Sequence, residues 1–325
     1  MPAVGPVQPE QTRDDCGRLF GRPTAVHHAA TPLARVVVQA RTTAALVLGL
    51  VVLGMVVPGM VVPGTLGGAG AVLSGQDAPR PDVRLVDVGA RRLHLRCEGI
   101  GSPLVILESG LGASADTWAA VQPAVAADTR TCAYDRAGLG RSDPAPPGRR
   151  TGRDAVTDLA AMLKAAGLSG PMVLVAHSFG GVIAREFARA HPADVAGLVL
   201  VDSTHERQDM RLAAAGFPQG GTSRSSREPI DVDASLAAAR RQPWRADIPL
   251  RVIAAGRTPY DRVSEERRQR FLRVWRDELQ QDLASRSALG RLLVAEHSGH
   301  AVQRDEPAIV IDAVREVVRV LRRSR

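Results

Sequence analysis

Aromatic residues and lysine are scarce in this chain of 325 residues. Phe, Trp and Tyr together make up 3% of the sequence, so Leu, Val, Ile and Ala must fill the core. Lys164 is the only lysine, and arginine therefore supplies nearly all the positive charge behind the net +8. The basic pairs Arg149-Arg150 and Arg267-Arg268 are short and have no aromatic side chains directly beside them on which bases could stack. We therefore expect no nucleic-acid partner, and we interpret the charge as a solvated surface that an anionic membrane attracts.

Cysteine is also rare, and its spacing excludes two classes of protein. Cys16, Cys97 and Cys132 are too few for a disulfide-framework protein and lack metal-ligand spacing. Cys97 and Cys132 fall in predicted strands, so they could form a disulfide in an exported domain. The strict geometry of a disulfide favours the alternative, two buried free thiols. No histidine and carboxylate cluster has metal spacing, and no glycine-rich run opens a helix as a dinucleotide site does, so we expect neither a metal nor a cofactor.

A long uncharged stretch follows the basic N-terminal residues. No charged residue occurs between Thr42 and Gln76, and residues 42–63 are apolar enough to cross a hydrocarbon core of about 30 Å. Arg35 and Arg41 precede this segment, which places the N-terminus on the cytoplasmic side. We therefore predict a transmembrane or signal-anchor helix at residues 42–63.

This helix divides the chain into segments. Residues 1–41 are expected to be a disordered cytoplasmic N-terminus, residues 64–80 a linker, and residues 81–325 a folded domain outside the cytoplasm. A cleaved signal peptide is the alternative, because Ala69-Gly70-Ala71 resembles an A-x-A cleavage site, and the domain would then be secreted. The apolar stretch is longer than a typical signal core, which favours the anchor.

Short apolar runs and amphipathic stretches alternate after residue 81. Two half-exposed strands come first, and six nearly continuous apolar runs follow, which is typical of strands covered on both faces. The predicted strands are residues 83–88, 93–97, 103–108, 131–134, 172–177, 197–202, 250–255 and 291–295. Helical periodicity separates them, as at residues 154–166 and 264–285. This order predicts an α/β fold with a mostly parallel eight-stranded sheet and helices on both faces.

A strand-to-helix turn carries the strongest chemical signal. The segment Val175-Ala176-His177-Ser178-Phe179-Gly180-Gly181 joins an apolar strand to a helix-forming run, which is the context of a nucleophile elbow. Small residues, here Ala176 and Gly180, are needed two places either side of the serine because the turn is tight. Ser178 is therefore the candidate nucleophile.

Two further loops supply candidate partners for Ser178. The glycine-rich turn Glu108-Ser109-Gly110-Leu111-Gly112 follows the third strand and could point the amide of Leu111 at a substrate oxygen, alongside the amide of Phe179. The loop Ser298-Gly299-His300 follows the last strand, so His300 belongs to the same carboxyl edge of the sheet as Ser178. His297 is the alternative base. His191 and His205 are expected on the surface.

The order of these segments resembles that of the α/β-hydrolase family. The resemblance covers residues 83–321, and its matching segments are residues 108–112, 134–144, 176–181, 191–202 and 298–307. It implies Ser178 as nucleophile, His300 as base and the amides of Leu111 and Phe179 as oxyanion hole. Ser109 stands where many relatives carry a histidine, and Asp135 and Arg136 resemble structural residues of the family.

The acid that would orient His300 has two candidates. Asp202 ends the sixth predicted strand, and Asp261 lies in the loop after the seventh. The loop of Asp261 lacks the expected close glycine-to-aspartate spacing, so we favour Asp202 and keep Asp261 as the alternative. Residues 203–247 are expected to form a small lid over the site.

These residues together predict a serine hydrolase that cleaves a carboxylic-ester-like bond of a small acyl substrate through an acyl-enzyme intermediate. Two alternatives remain. One is a cofactor-free perhydrolase or acyltransferase with the same triad, and the other is a membrane-tethered binding protein that has kept the fold without turnover.

Overall fold

The computed structural model describes residues 80–217, 228–260 and 262–324. The chain divides into two units, Met1–Ala71 and Val72–Arg325, and all described residues belong to the second. The predicted transmembrane segment, residues 42–63, lies outside the described residues, as do residues 1–41 and most of the predicted linker. Within the described part, every helix is too short or too polar to span a bilayer.

The strands form one sheet whose order along the sheet is β1-β2-β4-β3-β5-β6-β7-β8. β2 runs antiparallel to β1 and β4, and all other neighbours are parallel. The strands are β1 Asp82–Asp87, β2 Arg92–Glu98, β3 Leu104–Glu108, β4 Thr131–Tyr134, β5 Met172–His177, β6 Val195–Val201, β7 Leu250–Ala255 and β8 Gly290–Ala295. The eight-stranded, mostly parallel sheet predicted from the apolar runs is confirmed, with boundaries within two residues.

Nine α-helices surround this sheet in the described part of the chain. They are α1 Gln122–Ala126, α2 Gly152–Ala165, α3 Gly180–Ala190, α4 Gln208–Ala214, α5 Val232–Arg241, α6 Glu265–Leu272, α7 Gln281–Ala284, α8 Val302–Asp305 and α9 Pro307–Arg323. A π-helical stretch, Arg273–Gln280, joins α6 to α7, and a 3-10 turn, Ala115–Trp118, precedes α1. Residues 203–247, predicted as a lid, contain α4 and α5.

The core has two layers because side chains of each strand alternate between the faces of the sheet. Ile106 and Leu174 point to the face covered by α2 and α3, whereas Val105 and Val173 point to the face covered by α1 and α9. All four side chains are almost completely buried. Burial on both faces explains why the parallel strands read as unbroken apolar runs.

Cys97 and Cys132 are direct partners in the antiparallel register of β2 and β4, and they form a disulfide. The expectation of two free thiols is therefore wrong. The spacing of the two cysteines in the sequence could not show that β2 pairs with β4 rather than with β3.

Candidate active site

Ser178 occupies a tight turn between β5 and α3. Its φ angle is 52°, in the left-handed region that residues other than glycine rarely adopt. A side chain at Gly180 would lie 2.5 Å from the carbonyl oxygen of Ser109, and one at Gly181 would collide with Ser203. The two glycines therefore allow the turn to pack against the loops that follow β3 and β6. The geometry is that of a nucleophile elbow.

Asp202 immediately follows β6 and has a second positive φ angle, 40°. Its buried carboxylate accepts hydrogen bonds at Oδ1 from the backbone amide of Ala255 (2.8 Å) and from the indole Nε1 of Trp275 (2.7 Å). These bonds satisfy one oxygen and leave Oδ2 for a further partner.

His300 connects Asp202 to Ser178. Its Nδ1 lies 2.6 Å from Oδ2 of Asp202, and its Nε2 lies 2.9 Å from Oγ of Ser178. Because an ionised carboxylate can only accept, Nδ1 carries the proton in the neutral ring, and Nε2 is free to accept the proton of the serine. The structure thus brings together Ser178, His300 and Asp202 from three different loops at the carboxyl edge of the sheet. The alternative acid, Asp261, lies outside the described residues.

The environment of His300 favours a proton acceptor. Burial lowers the pKa of its imidazole, but the hydrogen bond and charge of Asp202 outweigh burial and hold the pKa above its ordinary value. The side chain is still 52% exposed, so the ring is accessible from solvent. The other candidate base, His297, is exposed, and its backbone amide donates to the carboxylate of Glu306 (3.0 Å).

His177 packs against the ring of His300. The ring centroids are 4.7 Å apart, and Nε2 of His177 lies 2.7 Å from the carbonyl oxygen of His300. A carbonyl can only accept, so Nε2 of His177 carries a proton and donates it. Burial, reinforced by the charge on His300, lowers the pKa of His177 to about 4. His177 is therefore neutral at neutral pH and restrains the loop of His300 rather than exchanging protons.

The predicted oxyanion donors belong to the two backbone segments next to the serine. Phe179 is buried at the start of α3, and Leu111 is half-buried in the loop after β3. A methyl group on Gly110 would lie 3.3 Å from Cβ of Ser178, so the backbone of this loop reaches the nucleophile. Ser109, at the position where many relatives carry histidine, accepts a hydrogen bond from the indole of Trp118 (3.1 Å) and donates one to the carbonyl of Ser114 (3.0 Å). Ser109 therefore holds the loop in place.

The sequence matches a known family over the segment that contains Ser178 and Asp202. The family model of the alpha/beta hydrolase fold matches residues 103–281 of the 325. The chain belongs to the α/β-hydrolase family.

Relatives of this α/β-hydrolase differ in how much of their length is matched. Protein YqjL of Bacillus subtilis is 27% identical over 226 residues, which are 68% of this chain and 85% of that protein. The putative carbamate hydrolase RutD of Azorhizobium caulinodans is 36% identical over 118 residues, 35% of this chain and 42% of RutD. In several other curated relatives the match spans only 15% to 48% of their length.

Solved structures agree on the fold. An esterase from Thermogutta terrifontis superposes with a TM-score of 0.54 at 21% identity, covering 74% of this chain and 99% of that one. At this identity the likeness supports the architecture alone. It agrees with the predicted α/β-hydrolase sheet of the described residues. The family match, in turn, supports an enzyme of the hydrolase kind.

A cavity of about 270 Å³ opens beside Ser178, Asp202 and His300 in this α/β-hydrolase. Its remaining wall is mostly apolar and aromatic, and it includes Leu212, Pro259, Tyr260, Phe271 and Trp275. Leu212 comes from α4, within the predicted lid, but the aromatic side chains come from later elements. Trp275 lies within residues 264–285, for which the sequence predicts only helical periodicity, and its contact with Asp202 was not predicted. A π-helical stretch here shifts the periodicity from which helix faces are predicted.

His205 is buried, so the expectation of a surface position is wrong. The backbone amide of Arg207 donates to its Nδ1 (2.9 Å), and Nε2 lies 3.0 Å from Oδ2 of Asp282. Candidate metal-ligand atoms of His205, Glu206 and Asp282 lie within 4.8 Å of one another, but the guanidinium of Arg286 binds both carboxylates. Ion pairing therefore explains this cluster without a metal, and such partners cannot be read from the sequence.

Proposed function

We propose that this α/β-hydrolase is a serine hydrolase that cleaves carboxylic-ester-like bonds through an acyl-enzyme intermediate. One observation carries the proposal, namely the hydrogen-bonded series from Ser178 Oγ through His300 to Asp202. Dehalogenase and epoxide-hydrolase chemistry, in contrast, requires a carboxylate at the nucleophile position to form an alkyl-ester intermediate. A serine in that position favours acyl transfer.

The chemistry follows from the direction of these hydrogen bonds. Nε2 of His300 takes the proton of Ser178 as Oγ attacks the substrate carbonyl, and Asp202 stabilises the imidazolium that forms. The amides of Leu111 and Phe179 bind the oxyanion, and each such donor is worth on the order of 10²–10³ in rate. His300 then protonates the leaving alcohol, and water releases the acyl group by the reverse transfers.

The cavity supports a substrate with an apolar group of limited size. Its volume of about 270 Å³ lies just below the roughly 300–1,000 Å³ of pockets that hold drug-sized ligands. Phe271 and Trp275 contribute aromatic side chains to the wall that this group would contact. We therefore expect short and medium acyl chains, or an aromatic acyl group, to react faster than long-chain esters.

A fluorophosphonate probe tests the nucleophile directly. Wild-type protein should be labelled, Ser178→Ala should not, and Ser169→Ala, which alters an exposed serine, should be labelled like the wild type. A wild-type protein that folds but takes up no probe would exclude the proposal and favour a binding protein without turnover.

p-Nitrophenyl esters of increasing chain length then test the reaction and the acyl size. Hydrolysis should be fastest for short to medium chains and absent in Ser178→Ala. Adding an alcohol or hydrogen peroxide measures how the acyl group partitions between water and another acceptor. Products formed mainly with the added acceptor would instead support the acyltransferase or perhydrolase alternative.

We further propose that residues 42–63 anchor the enzyme in a membrane with the hydrolase domain outside the cytoplasm. The uncharged sequence and the arginines before it support this placement. The disulfide between Cys97 and Cys132 is also consistent with an oxidising compartment. Fractionation of cells followed by protease treatment of intact spheroplasts tests it, since a domain inside the cytoplasm would survive the protease.

A further inference from the structure

A buried cluster of charged and polar side chains lies behind the loop that follows β3. This Arg136 cluster consists of Glu108, Tyr134, Arg136 and Glu228, and each side chain is at most 5% exposed. The guanidinium of Arg136 pairs with both carboxylates, and the hydroxyl of Tyr134 donates to Glu108. Burying so much charge is costly, and apolar side chains of similar volume often stabilise a fold better. The cluster is therefore weak evidence of a purely stabilising role.

The Arg136 cluster binds three successive peptide groups of residues 109–112, which we call the oxyanion loop. Nη1 of Arg136 donates to the carbonyl oxygen of Ser109 (2.6 Å), and Nη2 donates to that of Gly110 (2.7 Å). The backbone amide of Gly112 in turn donates to Oε2 of Glu228 (2.7 Å). The peptide groups on both sides of Leu111 are thus held by charged side chains.

Because the peptide bond is planar, these contacts fix the direction in which the amide N–H of Leu111 points. The carbonyl of Gly110 and the amide N–H of Leu111 belong to one trans peptide group, so they point in opposite directions. Because Arg136 holds the carbonyl oxygen, the N–H of Leu111 points away from the cluster. Gly110 itself lies against the catalytic serine, since a methyl group on it would be 3.3 Å from Cβ of Ser178.

We propose that Arg136 and Glu228 are positioning residues that hold the Leu111 amide in the direction an oxyanion-hole donor requires. The inference rests on the proposed serine-hydrolase function. A cation on the carbonyl oxygen also polarises the peptide, which strengthens its N–H as a donor to a developing negative charge. Neither side chain contacts the reacting atoms, so both act through the backbone of the loop.

Glu228 contacts the oxyanion loop from a part of the chain that is distant in sequence. It belongs to the segment between β6 and β7, and it is 116 residues away from Gly112 and 92 away from Arg136. Its second carboxylate oxygen, Oε1, pairs with Nε of Arg136, so it orients the guanidinium and the loop together. Glu228 therefore links the oxyanion loop to a residue that is distant in sequence.

Glu228→Gln is the most informative variant, because glutamine can still accept from the amide of Gly112 but no longer carries the charge that orients Arg136. We expect kcat for a p-nitrophenyl ester to fall about 10- to 100-fold, less than the loss of a whole oxyanion donor. KM should change by no more than about threefold, since ground-state binding uses other contacts. The inhibition constant of an alkyl boronic acid, which mimics the tetrahedral intermediate, should rise by the same factor as kcat falls.

Glu206→Gln is the matched control. Glu206 is also a buried glutamate paired with arginines, Arg185 and Arg286, and neither of these ion pairs involves the oxyanion loop. Both variants should lower the thermal midpoint, and only Glu228→Gln should lower kcat per folded molecule. If Glu228→Gln does not fold, Arg136→Lys takes its place in the experiment. It keeps the cation but loses the planar fork, so we expect the same fall in kcat.

Equal values of kcat and of boronic-acid affinity in Glu228→Gln, Glu206→Gln and wild type would overturn the inference. So would a rise in KM with unchanged kcat, which indicates a substrate contact. Failure of the proposed function is distinguishable, because the wild type itself would then neither hydrolyse the ester nor take up the fluorophosphonate.

Discussion

Two regions of the sheet differ in their backbone conformation. The carboxyl edge is the end at which the parallel strands finish, and the antiparallel edge is the side of the sheet formed by β1, β2 and β4. At the carboxyl edge, Ser178 and Asp202 are the only described residues other than glycine with a positive φ angle, and each such conformation costs on the order of 1–3 kcal/mol. At the antiparallel edge, β1, β2 and β4 pair in continuous register, and the disulfide joins Cys97 to Cys132. One edge accepts strain to aim side chains, whereas the other is stabilised by pairing and a covalent link. Variants of Ser178, Asp202 and His300 at the first edge should change activity, and variants of the disulfide at the second should change only stability.

Asp202→Asn is expected to have the largest effect on activity. Asparagine fits the same space and tolerates a positive φ angle, but it no longer fixes the tautomer of His300 or stabilises its cationic form. We expect kcat to fall about 10³- to 10⁴-fold, measured with the best p-nitrophenyl ester. Asp261→Asn is the matched control and should keep nearly full activity. A loss confined to Asp261→Asn would transfer the role of the acid to that residue.

The pH dependence should separate the two neighbouring histidines at the carboxyl edge. Because Asp202 raises the pKa of His300, the base is protonated and inactive at low pH, and kcat/KM should fall about tenfold per pH unit below a pKa that lies above 6.5. His177 has its pKa lowered to about 4, so it adds no inflection near neutral pH. A pH–rate profile from pH 5 to 9 measures this. A plateau that extends below pH 6 would contradict the pairing of His300 with Asp202.

We expect His177 to affect the pH dependence of the free energy of unfolding instead. The folded state keeps its imidazole neutral, whereas the unfolded chain binds a proton below about pH 6.5. Its contribution is therefore present above pH 6.5 and is lost as the pH falls toward about 4, amounting to about 3 kcal/mol. Urea unfolding of wild type and His177→Gln at pH 7 and pH 5 tests the sign, since the wild type should lose more free energy of unfolding.

Removal of the disulfide should have the smallest effect on activity. Replacing Cys97 and Cys132 together by alanine removes a link across 35 residues, and the free energy of unfolding should fall by about 2–4 kcal/mol. The kcat and KM of the folded variant should equal those of the wild type at 25 °C. A change in kcat at unchanged helical content would show that the two edges are coupled.

Much of the fold was predictable because it depends on local patterns in the sequence. Strands buried on both faces require continuous apolar runs, and α2 and α9 carry stripes of aliphatic residues at helical spacing. The elbow at Ser178 was also predictable, since a strand, a small residue on each side of the serine and a helix follow one another directly in the chain.

The remaining parts of the site depend on pairs that are distant in sequence. The contact between Trp275 and Asp202 spans 73 residues, and the binding of Gly112 to Glu228 spans 116. No spacing rule connects such residues. The disulfide was interpreted wrongly for the same reason, because the register of β2 against β4 is a property of the assembled sheet.

The amino-acid sequence by itself determined the order of strands and helices, the elbow, and which serine and histidine reach one edge of the sheet. These follow from periodicity and from the rule that parallel strands end on the same side. The tertiary structure decided the partners of His300, the aromatic wall of the cavity and the charged cluster behind the oxyanion loop. Hydrogen bonds and ion pairs act over about 3 Å, and only the folded chain brings residues so far apart in sequence within that distance.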